Sequence, residues 1–265
     1  MPVYKDQLYR NVGLQGTPQR IISLVPSQTE LLFDLGLDEE VIGITKFCVH
    51  PEHWFRNKTR IGGTKTVKID LIASLQPDLI FANKEENVQE QVAALEKIAP
   101  VWVSDISNIE EAYRMMQSMG EITGTSIKAN ELINHIKKEF AVFDLPTQRK
   151  YRTAYLIWKD PYMSVGGDTF ISDMLRVGGF ENVLADQTRY PSITIAELRS
   201  KNIELVFLSS EPYPFKQKHV EELQAELPDA KIILVDGEMF SWYGSRMRYA
   251  GPYIQELNEN LNIEH

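Results

Sequence analysis

Two hydrophobic patterns alternate along the chain. Short unbroken aliphatic runs predict strands buried on both faces, whereas apolar residues recurring every three or four positions predict helices with one buried face. Residues 20–26 (RIISLVP), 41–47, 78–83 and 101–105 are of the first kind. Residues 27–37, 69–76 and 86–98 are of the second. Ser27 with Glu30 three positions later reads as a capping box opening the first helix, and Gly36 lies near its end. Between the second strand and the second helix, FCVHPEHWFRNKTRIGGTKTV has no period and is longer than most connections. From residue 144 the same grammar returns, with strands at 153–159, 204–209 and 231–235. The helices there fall at 169–176, 195–201, 215–227 and 245–261, the last interrupted near Gly251 and Pro252. Such alternation builds parallel βα units with right-handed crossovers.

Residues 108–143 separate the two halves. Ile109, Ala112, Tyr113, Met116 and Met119, then Leu132, Ile136, Phe140 and Phe143, keep helical spacing. A continuous helix of that length would span roughly 50 Å and act as a strut. The alternative is a break within Gly120 to Ser126, with Thr125 or Ser126 capping a second helix. The predicted organisation is an α/β lobe over 1–107, a backbone helix over 108–143 and a second α/β lobe over 144–265. IDLIASLQPDLIFANKEEN, from Ile69, and IAELRSKNIELVFLSSEPY, from Ile195, superimpose without a gap at an offset of 126 residues. That shift sets Phe81 on Phe207, Asn83 on Ser209 and Glu85 on Glu211, which argues for two similar lobes.

Composition narrows the function classes. A net charge of −9 over 265 residues excludes a broad nucleic-acid surface. Cys48 is the only cysteine, so no intrachain disulfide forms. No apolar run reaches the length of a membrane helix, and no apolar leader precedes Ile21. As given, the chain is expected in the cytoplasm; with a trimmed leader it would be periplasmic or membrane-associated. Glu264 and His265 read as tag remnant and carry no weight.

In an open parallel sheet, ligands bind beyond the carboxyl ends of the strands. Lys46, Lys65, Lys84, Lys159 and Arg246 fall at such ends or beside them. One lysine after a strand only reflects a polar loop, but several converging favour an anionic ligand. Trp158, Tyr162, Trp242 and Tyr243 are candidates to stack on a flat ligand, Trp242 foremost, and Phe47 and Asn83, at strand ends, are further candidate ligand-binding residues. Cys48, His50 and His53 form C-x-H-x-x-H, thiolate and imidazole suiting zinc, copper or iron, or His50 alone serving as an axial ligand to a chelated metal. GGDTF at Gly166 is read as a turn with Asp168 as helix cap. Ser23, Ser27, His50, Asp160 and Glu211 supply the residue types of a hydrolase but no G-x-S-x-G elbow, so no catalytic residue is assigned.

RIISLVPSQTELLFDLG, VIGITKFCVHP, NVQEQVAALEKIAPVWVSD, SVGGDTFISDMLRVGGFENVLAD and SWYGSRM, in this order around the central helical segment, resemble the class III solute-binding proteins of ABC importers. The resemblance implies two lobes with short parallel sheets joined by a rigid helix, with a corrinoid, ferric siderophore or haem held in a shallow cleft; the chain is expected to be a monomer. It also implies an ABC permease as partner, met by one acid on each lobe. Gln89 stands at the first such position with Glu90 beside it, and Glu211 is the candidate on the second lobe. Thr64 and Asn83 stand where a corrinoid cage has aromatics. The alternative function is a cytoplasmic metal-handling protein or enzyme on the same scaffold, using Cys48, His50 and His53.

Overall fold

The computed structural model describes residues 2–144 and 150–263. Glu264 and His265 lie outside them. The chain opens with an antiparallel hairpin, β1 (Val3–Lys5) and β2 (Asn11–Gly13), which the hydrophobic pattern does not predict. It continues through β3 (Ile21–Ser23), α1 (Pro26–Asp34), β4 (Val41–Ile44), α2 (Glu52–Asn57), β5 (Thr59–Arg60), α3 (Ile69–Ser74), β6 (Leu79–Asn83), α4 (Gln89–Leu95) and β7 (Val101–Ser104). Next come α5 (Ile109–Thr123), α6 (Ser126–Phe140), β8 (Tyr151–Leu156), α7 (Phe170–Val177), β9 (Phe180–Asn182) and α8 (Ile195–Ser200). The chain ends with β10 (Leu205–Ser209), α9 (Gln217–Glu226), β11 (Lys231–Val235), α10 (Glu238–Ser241) and α11 (Met247–Ile263).

Among the described residues the contacts divide the chain into two units. The first gathers residues up to Asp105, Glu110–Asn134 and Tyr243–Arg246; the second gathers Ile106–Ile109, His135–Trp242 and the chain from Met247 on. The first unit holds a parallel sheet of order β5-β4-β3-β6-β7, and the second one of order β9-β8-β10-β11. β6 and β10 are buried at every position, as strands covered on both faces must be. Phe81 packs edge-on against Trp102 in the first unit, and Phe207 against Phe180 in the second. Internal similarity extends beyond the sequence match. α3 and α8, then β6 and β10, start and stop 126 residues apart, and Leu79 pairs with Ile21 where Leu205 pairs with Thr153.

Three expectations change. α1 begins at Pro26, whose fixed φ and missing N–H suit a first helical position, and no side chain caps it. The carboxylate of Glu30 is taken by Arg246 instead of closing a capping box. The segment read as a strut is two helices. Gly124, at φ +73°, reverses the chain; its N–H donates to Glu121 O and the next, of Thr125, to Gly120 O at 2.7 Å. That is a Schellman ending, satisfying carbonyls a continuous helix would have paired internally. Thr125 O then accepts from Ala129 N to start α6. Conversely, α11 is unbroken despite Pro252. Gly251 lets it approach α6 so closely that a Cβ there would lie 2.9 Å from Glu139 Cβ.

Gly124→Ala should lower stability by about 1 kcal/mol, because a side chain disfavours the left-handed conformation. Urea titration measures this, with Gly16→Ala, whose added carbon would meet nothing within 4 Å, as the control expected to shift little.

Candidate functional site

The carboxyl ends of β6 and β10 are closed by side chains that bind their own loops. The Asn83 amide donates to Ser104 Oγ at 2.9 Å and Ser104 O at 3.2 Å, while its Oδ1 accepts from the backbone N–H groups of Glu85 and Glu86 at 2.8 and 3.0 Å. Ser209, 126 residues later, does the same with a hydroxyl. Its Oγ accepts from Glu211 N at 3.3 Å and from the Tyr155 hydroxyl at 3.1 Å, and donates to Glu211 O at 2.6 Å. Both residues are buried. Asn83, predicted to face a ligand, has its hydrogen-bonding capacity used inside the first unit.

Three more predicted ligand groups are turned inward. Arg246 grips Glu30 through two bonds, Nε to Oε2 at 2.9 Å and Nη2 to Oε1 at 2.8 Å, with both side chains about nine-tenths buried. Burial pushes the Glu30 carboxyl above its usual range; Arg246 and His50 oppose that shift, while Asp34 adds to it. Tyr243 is buried with its hydroxyl toward Ser27 and Ser104. Trp242 is buried and donates from Nε1 to Glu211 Oε1 at 3.0 Å, an oxygen that also accepts from Ser241 Oγ at 2.7 Å. Glu211, expected as a docking acid, is partly buried and spends its Oε1 on these internal contacts. Burial raises its pKa, reinforced by Glu238 and Asp236. Glu90, in the first turn of α4, is exposed.

Cys48, His50 and His53 do not gather into a metal site. Cys48 Sγ is wholly buried, accepting from Thr29 Oγ1 at 3.0 Å beside Thr45 Oγ1 at 3.1 Å, and burial pushes the thiol up, away from the thiolate a metal needs. His53, on α2, rests edge-on against Phe33, 5.2 Å between centroids. Among the described residues no three His, Cys, Asp or Glu side chains are placed to share an ion. The GGDTF turn is capped by Thr169, which accepts from Ser172 N, while Asp168 accepts from Arg189 N.

Other predicted groups remain accessible. Phe47 is 50% exposed with the Lys46 ammonium 5.0 Å from its ring centroid. The ring lies over Gly63, where a Cβ would stand 3.1 Å from it. Lys65 donates to Glu85 O, and Lys84 pairs with Asp105 at 2.6 Å. In the second unit Trp158, two residues beyond β8, is 41% exposed, its edge against Tyr213. Tyr162 packs partly buried on that unit's core, and Lys159 pairs with Glu222. A separate concavity of about 390 Å³ in the second unit is lined by Lys150, Gly167, Asp173, Arg176 and Glu181 among others, and by no predicted ligand residue.

Two α/β units built on short parallel sheets define the class III binding-protein fold. Residues 21–230 match the periplasmic binding protein family, and the chain belongs to it. An uncharacterised ABC transporter substrate-binding lipoprotein of Bacillus subtilis is 30% identical over 207 residues, which cover 71% of this chain and 63% of the relative, less than two thirds of its length. A vitamin B12-binding protein of Photorhabdus laumondii is 25% identical over 259 residues, 94% of this chain and 91% of that one. Among solved structures, a periplasmic haem-binding protein in complex with two haems superimposes with a TM-score of 0.80 at 18% identity, covering 93% of this chain and 100% of its own. No helix among the described residues is long and apolar enough to cross a membrane.

Arg246→Ala should cost on the order of 3 kcal/mol at neutral pH, because it strands the Glu30 charge in a buried place. The raised Glu30 pKa sets the sign of the pH dependence. Its protonated form is the one burial favours, so the cost should shrink as pH falls toward about 5 and the carboxyl takes up a proton. Denaturant titrations of both proteins at the two pH values measure the difference.

Proposed function

We propose that this chain is the ligand-receiving protein of an ABC importer, and that its ligand is an anionic metal chelate with a broad conjugated or apolar face. Haem, with its propionates, meets that description, and a corrinoid through its phosphodiester or an acidic ferric siderophore offers the same combination of face and negative group. The observation that carries the reading is a pair of accessible rings beyond strand ends, Phe47 under Lys46 in the first unit and Trp158 in the second. Large exposed rings offer apolar area and quadrupole contact to a flat face, and an adjacent ammonium offers charge to a carboxylate or phosphate on its rim. The vitamin B12-binding and haem-binding proteins it resembles support the same ligand class. The role requires a chain working outside the cytoplasm and a permease partner, toward which Glu90 is an exposed acid on the first unit. The competing metal-handling reading depended on Cys48, whose buried thiol now speaks against it.

Cyanocobalamin, haem and a ferric siderophore, added in turn while tryptophan emission is followed, test the proposal. At least one should bind, and Phe47→Ala or Trp158→Ala should weaken it by roughly tenfold, a stacking contact of about 1.4 kcal/mol. Trp242→Phe should lower stability more than affinity. No response to any of the three ligands would sink the reading.

A further inference from the structure

Trp158 does not hold its position alone. Its backbone is fixed in a tight loop, with Met163 N donating to Trp158 O at 3.2 Å and Ile157 N to Met163 O at 2.9 Å. Its ring leans on Tyr213, 5.6 Å between centroids, and Tyr213 is in turn wedged against Phe215 at 4.8 Å and His219 at 5.6 Å. His219, on α9, is 3% exposed. Its Nδ1 lies 2.9 Å from Lys216 N, a backbone donor, so Nδ1 carries no proton and the hydrogen sits on Nε2, 3.5 Å from the Tyr213 hydroxyl. Only the neutral ring can do this. A proton on Nδ1 would set two donors face to face, at a helix start whose first N–H groups need acceptors.

The surroundings make that proton costly. Lys216, Lys218 and Glu222 face the ring from its own helix and cap, Lys159 from the loop after β8, and the Tyr213 hydroxyl and Phe215 ring from the loop after β10. Glu222 is already paired with Lys159, leaving a cationic setting. Burial first, then Lys159 and Lys218, hold the imidazole below its usual range. Because the folded state disfavours protonation, the stability drawn from His219 is complete above the ordinary histidine value. It declines as pH falls from there through the lowered one.

We propose that His219 is a positioning residue for Trp158: its neutral imidazole locks Tyr213 against the exposed indole, and acidification releases that lock and weakens ligand binding. The ligand consequence rests on the reading of Trp158 as a ligand-facing ring, whereas the lock is measurable without any ligand.

In the ligand-free full chain, the indole N–H resonance of Trp158, assigned with Trp158→Phe, is followed together with the His219 ring signals from about pH 7.5 to about pH 5. Both should move with one midpoint, lower than that of a free histidine. In His219→Gln, which keeps a side-chain acceptor at the third helical position, the Trp158 signal should stay constant. A Trp158 signal that is indifferent to pH, that moves with a midpoint different from His219, or that moves equally in His219→Gln overturns the proposal. Should His219→Gln fail to fold, the two midpoints in the wild-type chain decide. Cyanocobalamin and haem affinities should fall about fivefold over the same range in the wild type and hold in His219→Gln. If neither binds at either pH, the functional reading fails and the resonance titration still decides the lock.

Discussion

A parallel sheet ends in backbone amides that the next loop must satisfy, and how this chain meets that demand decides which side chains are left for a ligand. Buried N–H and C=O groups cannot be left unpaired without a cost of about 1–3 kcal/mol each. Asn83 and Ser209 meet the demand at matching positions of the two units, each accepting an amide two residues ahead. Polar residues at these strand ends are therefore largely consumed by the fold. Phe47, the Lys46 ammonium beside it and Trp158 stay accessible beyond the strand ends. On the proposed reading, a chelate with a flat face and an anionic rim would meet these rings and this ammonium.

The return of the chain between Trp242 and Met247 is fastened by charge as well as by packing. Arg246 is bound at Glu30 in the first unit and Trp242 at Glu211 in the second. Burial raises both carboxyls, so each charged group depends on its donors. Such contacts earn little net stability when intact and cost much when one partner is lost. They suit the fixing of a short segment, Tyr243–Arg246, whose neighbours in sequence belong to the other unit.

Much of this was legible in the residues. Buried runs located most strands of the two sheets, and the match between Ile69 and Ile195 foretold two helices and two strands that the structure sets 126 residues apart. The short β5 and β9 were missed because two or three residues make no pattern. Position beyond a strand could be read, but the direction of the side chain could not. Trp242, Tyr243 and Arg246 all lie where a ligand group would be sought, yet their partners are distant in sequence, Arg246 and Glu30 by 216 residues, while Asn83 is turned inward by its own loop and by Ser104. Tyr213 and His219 escaped notice for the opposite reason. Their signal is local, an aromatic run PYPF followed by a histidine at the third position of a helix, but a histidine there reads as an ordinary helix residue. The break at Gly124 was one of two readings that glycine spacing left open, and only the Schellman hydrogen bonds decide it.

The central claim is that the rings beyond the strand ends meet the ligand. A crystal structure of the protein grown with cyanocobalamin or haem tests it most directly. The account predicts the conjugated face or apolar rim of the chelate against Phe47 or Trp158, with an anionic substituent toward Lys46. A chelate seated instead in the concavity lined by Lys150, Asp173 and Arg176, with both rings still facing solvent, would contradict it.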